Sequence, residues 1–525
     1  MTTIRDAAYG LLRRHGMTTV FGNPGSNELL FLKEFPEDFT YVMGLHEGAV
    51  LAMADGYAQA SGRAPLVSLH SAAGTGTSMG VLANTVQSKS PVVVLSGQQV
   101  RSMVGQQIMV ASTDAAQLPK PLTKLSLEPL SPKDVVRSLA EVIHTANLHP
   151  KGPTHLSVPY DDWEHDADAN TELTVARDVL DATGLSEARL AEIVDAIDAS
   201  RSPVLVLGPE VDATDANEHA VLLAERLGCP VWIAPSPARC PFPTSHAQFA
   251  GLLPANVAGI AELLSPHDLV VVLGAAVFRY HHDRPGRYLA EGSRLIQISQ
   301  DPSEISRAPM GDAYLAPVAD TTARLSETVA VRDVELPARA VRIAGIDRAD
   351  RMHPDTVFRT ISEIAPVDAI HVVESTSTAE AFWNNVELCA QGSFYSAAAG
   401  GLGFGLPAAV GIQLAQPHRR VIASIGDGSA NFGITGLWSA AQHDVPVVFV
   451  VLRNETYGAM VSFGRRLDVE GAPSFDLPGI DFVRLAEGYG VTAESVATEA
   501  QLRDALERAL ATDGPVLIEA RTFHA

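Results

Sequence analysis

The dominant pattern along the chain is alternation. Short runs of β-branched and other apolar residues, each closed by glycine or a polar turn, are followed by stretches with apolar residues at helical spacing. In the first third, runs at 18–21, 41–45, 66–70 and 92–95 predict strands. Residues 3–15 and 47–61 predict helices, the first stopped by Gly16. In the middle, 203–207, 231–234, 269–273 and 295–298 predict strands, with a helix over 217–227. In the last third the predicted strands are 370–373, 421–425, 447–452 and 516–519, and the predicted helices 353–364, 433–443 and 501–511. Strands and helices that alternate in this way build parallel sheets covered on both faces. The expected fold is α/β, with three doubly wound parallel-sheet domains at 1–181, 182–340 and 341–525. The stretch 334–350 reads as the exposed connector into the third.

One crossover carries candidate chemistry. The strand 421–425 runs into Gly426-Asp427-Gly428-Ser429, where two glycines allow a sharp turn and close approach of a ligand. The strand 447–452 ends at Asn454-Glu455-Thr456. One βαβ unit separates them, so Asp427 and Asn454 are expected at the carboxyl ends of neighbouring parallel strands. A carboxylate, an amide oxygen and a backbone carbonyl there suit a hard cation such as Mg²⁺, which fills its remaining positions with phosphate and water. Alone, Gly-Asp-Gly is an ordinary strand exit; the asparagine at the next strand end makes the pattern specific. The middle block reads as a Rossmann-type sheet, yet its first turn is Gly208-Pro209-Glu210 rather than a full G-x-G-x-x-G, which argues against a dinucleotide.

Composition narrows the partners. Acidic residues outnumber basic ones by 61 to 38, a formal charge of −23, which argues against nucleic acid or an anionic membrane. No apolar run approaches the roughly 20 residues needed to cross a bilayer. The N-terminus is charged throughout, and three cysteines without a C-x-x-C pair fit a reducing compartment. A soluble cytoplasmic protein is the expectation.

The motif Gly426-Asp427-Gly428 … Asn454 resembles the signature of the thiamine diphosphate (ThDP)-dependent decarboxylases, and nearly the whole chain can be laid on that family. The stretches FGNPGSNELLFLKEFPEDF, LHSAAGTG, SVPYDDW, FRYHH, ESTST and AAGGLGFGLPAAVG look like its benzoylformate decarboxylase branch. The resemblance implies Mg²⁺ (or Ca²⁺) held by Asp427, Asn454 and the carbonyl of Thr456. It implies ThDP held by Asn23, Pro24, Gly25, Glu47, Thr376, Ser377, Gly400, Gly401, Leu402, Asp427, Gly428, Ser429, Asn454, Thr456, Tyr457 and Gly458. Glu47 would hydrogen-bond the aminopyrimidine ring and so help to generate the cofactor's carbanion. That role needs a carboxyl group in an apolar setting; as a first-turn acid, Glu47 would equally suit a helix N-terminus. His70 and His281 match two active-site histidines suited to proton delivery after CO₂ leaves. His281 rather than His282 is the match because it directly follows Arg279-Tyr280. A lone histidine is otherwise most often structural.

Ser26, by default a turn residue, would donate to the substrate carboxylate. Leu402 would prop the bent cofactor, or could fill core. Ser396, Met460 and Phe463 would line the substrate pocket with Ser26, His70 and His281. Ser396 stands where the family has an aromatic, Met460 where it has leucine, and Thr77 where it has asparagine. A wider or more polar pocket is the expected consequence, worth about 1–3 kcal/mol of discrimination. The implied reaction converts an aryl or related 2-oxo acid to an aldehyde and CO₂, with carboligation as a side activity. An acetolactate synthase-like carboligase and a ThDP-fold regulatory ligand-binding protein are the alternatives. The implied assembly is a homotetramer, a dimer of dimers with active sites between subunits.

Overall fold

The computed structural model describes residues 2–334 and 345–524 and contains three six-stranded sheets. By internal contacts the chain divides into two compact units. The first comprises Met1–Leu180, Ala344–Val386 and Ala397–Ala525, and the second Asp181–Ile343 with Glu387–Ser396.

In the first unit one sheet uses β1 (Thr19–Asn23), β2 (Thr40–Met43), β3 (Leu66–Leu69), β4 (Val93–Gln98), β5 (Leu125–Leu127) and β6 (Thr154–Pro159), ordered β2-β1-β3-β4-β6-β5. All its pairings are parallel. The central strands β3, β4 and β6 are buried along their whole length, as a sheet covered on both faces requires.

The second unit carries β7 (Pro203–Leu207), β8 (Val231–Ile233), β9 (Phe249–Leu252), β10 (Leu269–Leu273), β11 (Arg294–Ser299) and β12 (Asp312–Leu315), ordered β12-β11-β10-β7-β8-β9. A short strand, β14 (Phe394–Ser396), lies in its second segment. The third sheet includes, from the first unit, β13 (Ile370–Glu374), β15 (Val421–Gly426), β16 (Val448–Arg453), β17 (Thr492–Val496) and β18 (Val516–Arg521), all parallel in the order β13-β15-β16-β18-β17. This repeats the order β1-β3-β4-β6-β5 of the first sheet.

Two helices join the first and third sheets. The helix Glu47–Ser61 is apolar nearly all round, with Ala49 to Ala54 almost wholly buried, so it lies inside protein rather than on a surface. It packs on the helix Gly405–Ala415, and glycines set the spacing. A methyl group at Gly56 would stand 2.9 Å from Ala408 Cα, and one at Gly411 2.7 Å from the Met53 carbonyl carbon.

Several expectations are corrected. The strand expected over 18–21 runs on through Gly22 and Asn23, so that β1 is Thr19–Asn23. The crossover after β15 is helical from Asp427 itself and is two short helices, Asp427–Gly433 and Gly436–Gln442, rather than one over 433–443. Gly428 is therefore not a turn residue; a methyl group there would meet the Tyr457 ring at 2.5 Å. Of the expected connector 334–350, residues 335–344 lie outside the described residues.

The middle sheet has the strand order of a Rossmann fold, with its topological switch between β7 and β10. At that point the chain supplies its own acid. The Glu210 carboxylate accepts hydrogen bonds from Ser299 Oγ (2.9 and 3.0 Å) and the Gln300 N–H (3.2 Å), and a methyl on Gly274 would stand 3.2 Å from Glu210 Cα. A buried carboxylate here opposes an incoming pyrophosphate.

Candidate active site

Open α/β sheets bind ligands where adjacent strands leave in opposite directions. In the first sheet that point lies between the ends of β1 and β3. Asn23 closes β1, and Pro24, Gly25 and Ser26 follow; His70 follows β3 and leads into the helix Ser71–Gln87. Glu47 opens its helix after β2 and is half-buried. Asn23 Nδ2 donates to one Glu47 oxygen at 3.1 Å and Thr77 Oγ1 to the other at 2.9 Å. Thr77, the residue in place of the family's asparagine, thus still grips the glutamate. Gly74 leaves room for Glu47, since a methyl there would stand 3.2 Å from its Cγ.

His70 is held by a residue that sequence reasoning passed over. Its Nδ1 donates to Glu28 Oε2 at 2.9 Å. Glu28 is 3% exposed and also accepts from the N–H groups of Gly25 (2.8 Å) and Gly97 (3.0 Å). With Nδ1 committed as donor, Nε2 is the atom free to carry or release a proton. The two glycines are required, because a methyl at Gly25 would overlap the imidazole and one at Gly97 would overlap the Glu28 carboxylate. Ser71, next to His70, has φ 51°, a left-handed conformation unfavourable for serine. Its hydroxyl donates to the Val110 carbonyl at 2.7 Å. Ser26 is exposed, and its hydroxyl lies 3.5 Å from Asn27 Oδ1.

In the third sheet the switch lies between β13 and β15. β13 ends at Glu374 and passes through the exposed Thr376 and Ser377; Asp427 follows β15. Register pairs Gly426 with Leu452, so Asn454 leaves β16 beside Asp427. Asp427 Oδ2 accepts from the N–H groups of Asn454 (3.0 Å) and Glu455 (2.6 Å), and Oδ1 from that of Gly428 (2.8 Å). Burial lifts the Asp427 carboxyl above its ordinary range, against these three donors. Asn454 Oδ1 accepts from the Thr456 N–H at 3.0 Å, and the Thr456 carbonyl from the Gly458 N–H at 2.9 Å.

Each donor therefore keeps acceptor capacity, and three hard oxygens with one negative charge fit Mg²⁺ or Ca²⁺. The loop between them is braced. Glu455 has φ 60°, and its side chain is held by Arg351 (2.6 Å) and Arg453 (3.0 Å), whose guanidinium groups keep its carboxyl below the usual range.

The other expected cofactor positions of the third block lie in the same unit as this claw. Ser429 is buried, and Tyr457 packs on Gly428. Gly458 lies against Ser377, where a methyl would stand 3.0 Å from Oγ. Gly400 has φ 71°, and Gly401 and Leu402 are half-buried. Glu374 was also missed from sequence. It is 7% exposed and accepts from the N–H groups of Gly403 (2.8 Å), Phe404 (2.9 Å) and Gly405 (2.6 Å); burial pushes its carboxyl up to about 7 despite those bonds. Met460 and Phe463 are partly exposed, three residues apart on the helix Gly458–Arg466.

Two expected pocket residues belong to the second unit. His281 is exposed in the segment after β10, its ring 4.2 Å from that of His282. Ser396 closes β14, its N–H donating to the Ala238 carbonyl (3.0 Å) and its hydroxyl to the Pro237 carbonyl (3.1 Å).

Three family models match the chain: the N-terminal TPP binding domain of thiamine pyrophosphate enzymes over residues 2–118, their central domain over 190–327, and their C-terminal TPP binding domain over 375–520. The chain is 56% identical over 523 residues to a benzoylformate decarboxylase of Pseudomonas aeruginosa, covering 99% of each. A solved ThDP-dependent 4-hydroxybenzoylformate decarboxylase of Rhodococcus jostii superposes with a TM-score of 0.98 at 53% identity, covering 100% of this chain and 99% of that one. A probable acetolactate synthase large subunit of Methanocaldococcus jannaschii is 25% identical over 98% of this chain and 91% of its own length.

Proposed function

The chain belongs to the benzoylformate decarboxylases among the ThDP-dependent enzymes, and from that premise we propose how its residues divide the work. It is a carbon–carbon lyase that removes CO₂ from a 2-oxo acid. ThDP, when bound, supplies the nucleophilic carbon and the electron sink. Asp427, Asn454 and the Thr456 carbonyl hold Mg²⁺ (or Ca²⁺) on its diphosphate. Asn23, Pro24, Gly25, Thr376, Ser377, Gly400, Gly401, Leu402, Gly428, Ser429, Tyr457 and Gly458 line the cofactor.

Glu47 hydrogen-bonds the cofactor's aminopyrimidine ring, with Asn23 and Thr77 fixing the carboxyl in place. Ser26 binds the substrate carboxylate as a neutral donor. A cation there would stabilise the ionised ground state and oppose loss of CO₂, whereas a hydroxyl orients the group without that penalty. His70 and His281 move the proton that replaces CO₂. The substrate is benzoylformate or a ring-substituted relative, met by Ser396, Met460 and Phe463. The domain limits are 1–181, 182–340 and 341–525. The working unit is a cytoplasmic homotetramer, in which Glu47 of one protomer acts on the cofactor held by the claw of another; the two half-sites lie nearly 400 residues apart in sequence.

The observation that carries the decarboxylase reading is the Glu28–His70 pair beside Ser26 and Glu47. It is a preset proton carrier at the strand end where the substrate would lie, as decarboxylation requires. Carboligation uses the same activated cofactor and remains as a side activity, supported by the distant acetolactate synthase likeness.

The test supplies ThDP and Mg²⁺ with a panel of aryl and aliphatic 2-oxo acids, and separates CO₂ and aldehyde from ligated products. Aryl substrates should give aldehyde and CO₂ in equal amounts. Cofactor binding without turnover of any 2-oxo acid would defeat the assignment, and predominantly ligated product would favour the carboligase.

A further inference from the structure

The loop that bears Gly400, Gly401 and Leu402 is gripped at both ends by buried side chains outside it. At one end, Asn84 Oδ1 accepts from the N–H groups of Ala399 (3.0 Å) and Gly401 (3.3 Å), while its Nδ2 donates to the Gly401 carbonyl (2.9 Å). At the other, Glu374 takes the N–H groups of Gly403, Phe404 and Gly405. Asn84 is 1% exposed and Glu374 7%.

We propose that Asn84 and Glu374 are positioning residues for the cofactor, a two-ended clamp that fixes the Ala399–Gly405 loop in the one conformation able to support it. The proposal rests on the assignment of Gly400, Gly401 and Leu402 to ThDP.

The glycines agree with a clamp. A methyl at Gly401 would stand 3.1 Å from Asn84 Nδ2, and one at Gly405 2.8 Å from Glu374 Cβ, so both positions are kept small where the clamps close. In the same loop Gly400 (φ 71°) and Gly403 (φ 96°) adopt backbone angles that unrestrained glycine leaves readily, since it has many alternatives. A loop with two such residues needs external restraint to present Leu402 in a single orientation, and six side-chain hydrogen bonds supply it. Asn84 also lies seven residues beyond Thr77 on the helix Ser71–Gln87, two turns along the same face, and Thr77 holds Glu47. One rigid helix thus braces a glutamate that would activate one cofactor and a loop that would prop another, since the proposed assembly pairs Glu47 of one protomer with the claw of its partner.

The variants are Glu374→Gln and Asn84→Ala. In the first, an amide N–H₂ must replace one carboxylate oxygen and face a backbone donor, so at least one of three bonds is lost. In the second, alanine preserves the helix while removing all three bonds at that end. Each purified apoprotein is titrated with ThDP at saturating Mg²⁺, with binding followed by calorimetry, and its thermal midpoint is recorded in parallel. The expected result is ThDP affinity about tenfold weaker in each variant, with the aryl 2-oxo acid KM at saturating ThDP unchanged, because neither residue touches substrate. If a folded variant melts earlier but binds ThDP within twofold of wild type, the residues are merely structural and the proposal fails. If the wild-type protein itself does not bind ThDP, it is the cofactor assignment that falls.

Discussion

Glu374 offers a prediction whose size follows from its surroundings. Its carboxyl is buried, meets three backbone N–H groups, and is pushed from the ordinary 4.5 up to about 7, with desolvation the larger influence. A carboxyl whose pKa is higher in the folded protein than in the unfolded chain keeps its proton longer when folded. The stability it contributes is fully present below pH ~4.5 and is lost as pH rises through about 7. That rise corresponds to about 3 kcal/mol in all, of which about 2 kcal/mol is lost between pH ~5.5 and ~8.

Glu374→Gln removes the titration and leaves a constant penalty of about 1–3 kcal/mol from the lost backbone bond. Urea denaturation of the two apoproteins at half-unit intervals from pH 5.5 to 8 measures the difference. Other buried acids whose carboxyls are lifted by burial, Asp55 and Asp427, are common to both proteins and cancel. The variant should gain on wild type by about 2 kcal/mol as pH rises across that interval. Parallel profiles would show that Glu374 is ionised throughout the range, and the account of its environment would be wrong.

Three further outcomes follow from the site. Glu47→Gln should bind ThDP normally but lose about 10²–10⁴ in decarboxylation rate, measured as CO₂ release at saturating cofactor; undiminished activity would remove the glutamate from the proton chemistry. Glu28→Gln removes the negative charge beside the His70 Nδ1 proton and sets an amide N–H₂ against at least one of the three donors, loosening His70, so kcat should fall about tenfold or more and its pH profile should shift. An unchanged profile would mean that the Glu28–His70 contact is only packing. Asp427→Ala deletes the charged member of the oxygen claw, and calorimetric titration should find Mg²⁺-dependent ThDP binding weakened by at least about a hundredfold. Binding that survives the change would place the metal elsewhere.

Buried central strands announced themselves in sequence where every position is apolar, as in Leu269–Leu273 and Pro203–Leu207, whose limits match expectation; Thr154–Pro159, equally buried but interrupted by Thr154, His155 and Ser157, was missed. Apart from β2, expected at 41–45, edge strands did not announce themselves. Asp312–Leu315 and Thr492–Val496 are short, largely exposed and mixed in composition, so no apolar run marks them. The claw residues were legible for a local reason, since strand exits in a βαβ unit fix where Asp427 and Asn454 must stand. Glu28, Glu374 and Asn84 were not, because their partners are brought close only by folding. Glu28 reaches Gly97 across 69 residues, and Asn84 reaches Gly401 across 317. The available signals were slight: a glutamate closing the buried strand Ile370–Glu374, and a glycine at 97 inside the strand Val93–Gln98, where no turn requires it.

The same device recurs in both sheets that share a strand order. After β1, Glu28 collects the N–H groups of Gly25 and Gly97 and the imidazole of His70; at the end of β13, Glu374 collects three N–H groups of the loop that follows. In each case a buried carboxylate at the topological switch is neutralised by backbone dipoles and thereby fixes the loop that would meet the ligand. The two sheets then diverge in what they place beside it, a histidine imidazole in one and a second acid, Asp427, itself met by three N–H groups, in the other. That difference has a physical consequence in a chain of net charge −23. Both a diphosphate and a 2-oxo acid are anions, and an acid-lined crevice repels them unless a cation intervenes at short range. On the proposed assignment Asp427 is acidic because it would hold the metal, while Ser26, where the substrate carboxylate would lie, offers a neutral hydroxyl that orients the charge without trapping it.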